Sequence, residues 1–503
     1  MTEGRRDMPR AVLAIDQGTT GTTALVIGRD CSVLGRAYSE FTQYYPKPGW
    51  VEHDADEIWR VSLEVAERAI EASDVAGADL AAIGITNQRE TTVIWDRRSG
   101  RPVHRAVVWQ SRQTAEICDR LRAGGHEKWI HERTGLVLDA YFSASKIRWI
   151  LDRVPDGQAL AENGDLLFGT IDTWLLWKLT GGEVHATDPT NASRTLLYDI
   201  HRRRWASDLL ELFEIPRLML PKIRPSSGIF GTTRALGSIP AGIPVAGIAG
   251  DQQAALYGQA CWRPGMVKAT YGTGSFVVLH TGDRATLSDG GLVTTVCCDE
   301  NGAPAYALEG SIFTTGAAVQ WLRDEMGLIE TAAETETIGE RVTDTMGVYV
   351  VPAFAGLGAP HWDMHARGAV VGLTRGSGRD QIIRATLDSI AYQTRDVVDI
   401  MNRESGIEIS ELRVDGGAAA NNVLMQFQAD ILGIPVVRPN LVETTAAGAA
   451  FLAGLGVGFW SDPQELERSW RRERLFEPVM DDDRRDELYG GWQRAVRQVL
   501  SAG

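Results

Sequence analysis

Long apolar runs are missing from this chain of 503 residues. The most apolar stretch, Ala446 to Trp460, is broken by four glycines and is too short to span a bilayer. It predicts a helix buried between layers of a soluble protein, with no insertion into a membrane. The opening segment Met1 to Arg10 is polar and charged and has no apolar h-region, so no signal peptide is expected. Cysteine is scarce. The five present make an odd count, with Cys297 beside Cys298 and no even, closely spaced framework, which predicts reduced, mostly buried thiols in a cytoplasmic protein. Excess positive charge is also lacking: 51 Lys and Arg face 66 Asp and Glu, a net charge of −15. That argues against a nucleic-acid binder, whose backbone contacts need a basic surface, and leaves room for an enzyme that holds anions through backbone amides and a metal. No Gly-x4-Gly-Lys-Ser/Thr loop and no linear Gly-x-Gly-x-x-Gly occurs, which argues against P-loop and simple dinucleotide sites. His126 and His131 are five apart, not four, so they share no helix face and form no zincin motif.

What is present describes a large globular protein. Hydrophobic residues at 44%, charged residues at 23% and 53 glycines fit a folded chain too long for one core, so two large domains or more are expected. The chain is organised around Gly247-Ile-Ala-Gly-Asp-Gln-Gln253, near its midpoint. Here an apolar strand, Ile243 to Ala249, meets a helix-like stretch, Ala254 to Ala260, and a lone carboxylate, Asp251, sits at the junction. Strand ends of this kind carry the chemistry of parallel α/β folds, although an Asp there often does no more than cap the helix.

Earlier in the chain, strands Ala11–Ile15 and Thr23–Ile27 flank Asp16-Gln-Gly-Thr-Thr-Gly-Thr22. A tight Gly/Thr turn aims amides and hydroxyls at one point, as a phosphate or a hydrated metal requires, and Asp16 is placed to hold Mg²⁺ through water. A plain hairpin turn is the alternative. Cys31 to Phe41 predicts a further strand and Ala55 to Ser73 an amphipathic helix. Arg89 and Glu90 directly follow a buried strand, Ala81 to Thr86, where polar groups are expensive; a donor fork beside an acceptor suits a polyol's hydroxyls. Strand-like Val107 to Gln110 carries Trp109, and Tyr141 opens the helix within Gly135–Leu151. Half a chain beyond the first Gly/Thr loop the pattern returns: strand Met266–Thr270, turn Tyr271-Gly-Thr-Gly-Ser275, strand Phe276–Leu279. Two such loops facing each other would clamp a triphosphate. Gly310 to Trp321 predicts the start of a helix, and Leu412 to Gly417 a strand ending in diglycine before a helix from Asn421 to Leu432. Diglycine there lets a phosphate-bearing ligand approach closely.

These residues resemble the FGGY carbohydrate kinases, and within them the branch that phosphorylates glycerol. The runs Tyr45-Pro-Lys-Pro-Gly-Trp-Val-Glu-His-Asp54, Gly84-Ile-Thr-Asn-Gln-Arg-Glu-Thr-Thr92 and Gly250-Asp-Gln-Gln-Ala-Ala255 carry the likeness, with Tyr141–Asp152 and Gly368–Asp388 similar to the two general family signatures. The resemblance implies an α/β fold of two ribonuclease-H/actin-like domains, residues 10–253 and 254–503, with the active site in the cleft between them. It implies ATP-dependent phosphorylation of glycerol to sn-glycerol 3-phosphate and a homo-oligomer, dimer or tetramer. By position, Arg89, Glu90, Trp109, Tyr141, Asp251, Gln252 and Phe276 would bind glycerol, with Asp251 as general base. Thr19, Thr20, Gly21, Thr273, Gly316, Gln320, Gly417 and Asn421 would bind ATP or ADP, and Mg²⁺ would sit near Asp16 and Asp251. Three places depart from the family. Thr23 stands where many relatives have Arg. Gly231–Pro244 lacks the loop through which some relatives bind fructose 1,6-bisphosphate. The Asp-rich segment Phe476–Trp492 differs from the one that meets a sugar-transport regulator. A pentulose kinase of the same family, a nucleotide-switched module like actin, and a kinase relative without catalysis are the competing expectations.

Overall fold

The computed structural model describes residues 9–501, so most of the polar opening segment Met1–Arg10 lies outside the described residues. Two sheets dominate. In the first, β1 (Ala11–Gln17), β2 (Gly21–Gly28), β3 (Val33–Glu40), β4 (Leu80–Asn87), β5 (Ser227–Thr232) and β6 (Pro244–Gly250) lie in the order β5-β6-β4-β1-β2-β3. In the second, β7 (Val267–Tyr271), β8 (Ser275–Gly282), β9 (Val293–Cys298), β10 (Pro304–Ile312), β11 (Leu412–Asp415), β12 (Val436–Pro439) and β13 (Arg472–Phe476) lie in the order β9-β10-β8-β7-β11-β12-β13.

The sheets repeat one plan. β1 runs antiparallel to β2 and parallel to β4; β7 runs antiparallel to β8 and parallel to β11. The central strands β1 and β4 are buried almost throughout and read as continuous apolar runs, as strands covered on both faces must. The hairpins close the same way: Gly18 N–H donates to Gly21 O at 2.9 Å, and Gly272 N–H to Gly274 O at 2.9 Å.

Helices cover the faces. α1 (Ala55–Ala72) is capped by Asp54, whose carboxylate accepts from the Asp56 and Glu57 amides, and buries Ile58, Val61, Val65 and Ala69 against the first sheet. α2 (Ser143–Leu151) and α3 (Asp251–Gly258) belong to the first half of the chain; α4 (Gly316–Asp324), α5 (Arg379–Ser405) and α6 (Asn422–Leu432) flank the second sheet. α7 (Thr444–Gly456) is the buried helix expected from the glycine-broken apolar stretch, and it crosses back: it packs on α3 and on β4, β6 and β1 of the first sheet. Its small side chains let backbones meet. A Cβ on Gly448 would lie 1.8 Å from Ala254 O, so only glycine permits this approach. α8 (Asp482–Arg497) closes the second half, with Trp492 stacked on Tyr392 of α5.

Two expected elements differ. Residues 310–312 belong to strand β10, paired with β8 through Ile312 and Ser275, and the helix starts only at Gly316; Phe313, Thr314 and Thr315 form the bend between. The strand expected over Val107–Gln110 is reduced to Ala106–Val107, because Val108–Ser111 turns, with Ser111 N–H donating to Val108 O. Among the described residues no helix is long and apolar enough to cross a membrane, and the five cysteines are free, four of them buried.

Candidate active site

Asp251 begins α3, with Gly250 rather than itself in the capping position. Its Oδ1 accepts the Gln252 amide at 2.7 Å and lies 2.9 Å from Arg89 Nε, while no hydrogen bond among the described residues reaches Oδ2. The side chain keeps 26% exposure, so one oxygen is anchored and the other is left without a protein partner among the described residues. Arg89 and Glu90 follow β4, parallel to and paired with β6, which is how the sheet brings them beside Asp251. Both are buried. Arg89 gives Nη1 and Nη2 to Glu309, the second at 3.1 Å, and its guanidinium lies 5.7 Å from the Phe276 ring centre. Arg194 joins Glu90 at 2.7 Å through Nε and Glu309 at 3.0 Å through Nη2. Burial opposes ionisation of Glu309, yet Arg194 and Arg89 outweigh it and hold that carboxyl down to about 2.

Tyr141 and Trp109 line the same wall, their rings 5.3 Å apart. The Tyr141 segment is pinned from beneath by Lys146, whose ammonium donates to the carbonyls of Ala140, Tyr141 and Phe142 at 2.5, 2.6 and 3.0 Å. Trp109 Nε1 donates to Thr19 Oγ1 at 2.8 Å, which ties this wall to the first Gly/Thr loop. Gln43 donates to Thr19 O at 3.0 Å. Below the loop His53 accepts at Nδ1 from Gln88 and donates from Nε2 to Gln43, a neutral imidazole whose pKa burial pushes down to about 3. Thr20 is exposed at the loop tip, and Gly21 opens β2 with its oxygen closing the turn.

Asp16, at the end of β1, accepts no hydrogen bond and enters no ion pair among the described residues. Burial, then the charges of Asp251 and Glu443, raise its carboxyl to about 8. Asp16, with both oxygens unpartnered and the charge of Asp251 nearby, makes a poor protein-only cage and a good mount for Mg²⁺, which keeps several waters and binds one or two carboxylates together with substrate phosphates. No group of three or more His, Cys, Asp or Glu suited to a metal occurs among the described residues, consistent with that sparse donor set.

The second half supplies a cavity of about 470 Å³ lined by Gly272, Thr273, Gly316, Gln320, Gly417 and Asn421, among others. Gly416 stands at φ +87°, with Tyr271 O 2.5 Å from where a Cβ would be, so the turn after β11 demands glycine; Gly417 has open space on its Cβ side. The loop Gly272–Gly274 hangs from α4: Thr315 N–H donates to Thr273 O and Gly316 N–H to Gly272 O, both at 3.0 Å. Asn421 caps α6, accepting the Leu424 amide at 3.0 Å.

The expected residues thus fall into two groups. Arg89, Glu90, Trp109, Tyr141, Asp251 and Phe276 share one wall with Thr19; Thr273, Gly316, Gln320, Gly417 and Asn421 share the cavity. Gln252 stands apart: its Oε1 accepts from Lys268 at 2.5 Å, and both side chains are buried. Three residues behind the wall escape sequence reasoning: Arg194, Glu309 and Lys268, whose ammonium burial pushes down to about 8 against the opposing pull of Asp415, Asp251 and Glu309. Glu309 did leave a signal, a lone carboxylate inside the apolar run Ala307 to Ile312.

Comparison with known proteins accords with this layout. Residues 11–258 match the N-terminal domain, and residues 267–457 the C-terminal domain, of the FGGY family of carbohydrate kinases. A glycerol kinase from Halorhodospira halophila is 59% identical over 98% of this chain and 97% of its own length. One from Caldanaerobacter subterraneus subsp. tengcongensis is 56% identical over 98% and 99%. The crystal structure of Plasmodium falciparum glycerol kinase with ADP superposes with a TM-score of 0.91 at 37% identity, covering 98% of this chain and 99% of that one. A xylulose kinase from Lactobacillus acidophilus, 19% identical with a TM-score of 0.87, has the same two-domain α/β fold.

Proposed function

We propose that this chain, which belongs to the FGGY family of carbohydrate kinases, transfers the γ-phosphoryl group of ATP to glycerol, giving sn-glycerol 3-phosphate and ADP. The observation that carries the proposal is the state of Asp251: Oδ1 is fixed by the Gln252 amide and Arg89, Oδ2 is unpartnered, and the wall around it presents charged and aromatic groups suited to a small polyol. Full-length likeness to glycerol kinases selects glycerol among polyols.

In this reading Arg89, Glu90 and Tyr141 take the hydroxyls, and Trp109 and Phe276 cover the carbon–hydrogen faces. Asp251 Oδ2 accepts the proton of the attacking hydroxyl as its oxygen meets the γ-phosphorus. Thr19, Thr20, Gly21 and Thr273 hold phosphate oxygens through hydroxyls and amides, and the cavity by Gly417 and Asn421 takes the nucleoside. Asp16 and Asp251 would hold Mg²⁺, which supplies charge neutralisation at the phosphates. Phosphoryl transfer asks chiefly for alignment and charge stabilisation, so this set suffices. Gln252, whose Oε1 is held by Lys268, is also placed at the acceptor, with its amide nitrogen left to donate. The domain division at residue 253, a homo-oligomeric state and a cytoplasmic setting complete the proposal.

ADP release with Mg²⁺-ATP and glycerol, dihydroxyacetone, xylulose or no acceptor tests it. Strong dependence on glycerol is expected. A faster reaction with xylulose moves the chain to another branch of the family, and equal turnover without acceptor removes the kinase assignment.

A further inference from the structure

Glu309 occupies the middle of β10, paired in register with Val278 of β8 and Val293 of β9, and its side chain has no solvent exposure. A carboxylate at such a place is expensive unless charges and hydrogen bonds compensate it. Its hydrogen bonds come from the other half of the chain, from both terminal nitrogens of Arg89 and Nη2 of Arg194, and Lys268 of its own sheet adds a weaker favourable charge. Arg194 then reaches Glu90. Two cations and two anions close a ring, and the carboxylate left over is Asp251.

We propose that Glu309 is a positioning residue for the acceptor: it engages the fork of Arg89, so that only Nε rests against Asp251 Oδ1 and Oδ2 stays open to a hydroxyl. This rests on Asp251 being the acceptor's base. The geometry favours positioning over mere filling of the domain junction. Arg89 Nε is buried, 2.9 Å from Oδ1, yet poorly aligned for a hydrogen bond, and Arg194 Nη1 is buried without a hydrogen-bond partner among the described residues. A cluster serving stability alone gains most when every donor is paired. Here the fork is held where Glu309 puts it, at the expense of those two N–H groups. Without the Glu309 charge, the Arg89 fork turns to the nearest remaining carboxylates, Asp251 and Glu90, and occupies the oxygen the acceptor needs. Because Glu309 belongs to the second sheet and Arg89 to the first, the acceptor wall is complete only when the two halves meet.

The test is Glu309→Gln in the full-length enzyme, read by separate KM values for glycerol and ATP, by kcat, and by the thermal midpoint. The expected result is a glycerol KM raised at least about tenfold with the ATP KM within about twofold of wild type. Glu309→Asp, which keeps the charge, should recover part of the glycerol KM. The charge-balanced double variant Glu309→Gln/Arg194→Gln serves if the single one fails to fold, and the same split is expected of it. An unchanged glycerol KM in a folded variant overturns the proposal, as does a rise of both KM values together, which marks general loosening of the junction. Wild type without glycerol-dependent ADP release defeats the proposed reaction first and takes this role with it; wild-type activity with an unaltered variant defeats only the positioning.

Discussion

The two halves build the same strand–loop–strand unit and furnish it in opposite ways. After β4 the first half places Gln88, Arg89 and Glu90, side chains rich in charge; after β11, at the corresponding point, the second half places Gly416 and Gly417, which have none. The supports differ too. The first hairpin is braced by large side chains, Trp109 and Gln43 on Thr19 with His53 behind, whereas the second hangs from the start of α4 by backbone amides and the Thr315 hydroxyl. One scaffold therefore yields a wall that recognises a small polar molecule by fixed functional groups and a slot that admits a large one by leaving atoms out. Specificity for the acceptor should be easy to lose by single polar substitutions, and nucleotide binding should fail chiefly when bulk is added.

The largest effect is expected at Asp251. Replacement by Asn keeps the shape and removes the proton acceptor, lowering kcat for glycerol-dependent ADP release by about 10²–10⁴-fold. An active Asp251→Asn would break the contrast, because the charged wall would then bind without taking part in the chemistry. Next comes Gly417→Leu, which pushes a side chain into the open space of the cavity. The ATP KM should rise about tenfold while the glycerol KM holds, and initial-rate kinetics in both substrates separate the two. A smaller effect falls on the junction. Gly448→Val overpacks the contact with Ala254 and should destabilise by about 1–3 kcal/mol, seen as a lower midpoint in thermal or urea unfolding with kinetic constants of the surviving fraction intact.

The smallest concerns His53. Its folded pKa, about 3, lies below the ordinary 6.5, so unfolding takes up a proton that the folded state refuses. The stability this gives is present above 6.5 and drains away as pH falls toward 3. His53→Gln, which keeps an amide between Gln43 and Gln88, should flatten that acid-side decline in a melting profile across pH. A decline as steep as wild type would show that other groups carry it.

Much of this plan is legible in the chain. Gly18–Gly21 and Gly272–Gly274 stand out because tight turns need glycine locally, and Asp251 because a strand-to-helix junction is a local pattern. Arg89-Glu90 is visible for the same reason, two charges at the end of an apolar run. The ring they belong to is not. Glu309 meets Arg89 across 220 positions and Arg194 across 115, and nothing adjacent to any of the three announces the others. Gln252 is named by the family resemblance alone, and its bond to Lys268, 16 positions away, is likewise a contact that no local pattern announces. The misplaced helix start at Gly310 has a different source, since small residues serve equally at a strand's close and a helix's opening.

The seat of α7 on the first sheet bears on how the protein is made. Translation delivers β1 to β6 and α3 some two hundred residues before the helix that covers them. Until Thr444–Gly456 emerges, the nascent first half carries an uncovered apolar face, a state prone to association with other chains. Its folding waits on the far end of the message, and a fragment ending near residue 253 inherits that exposed face permanently.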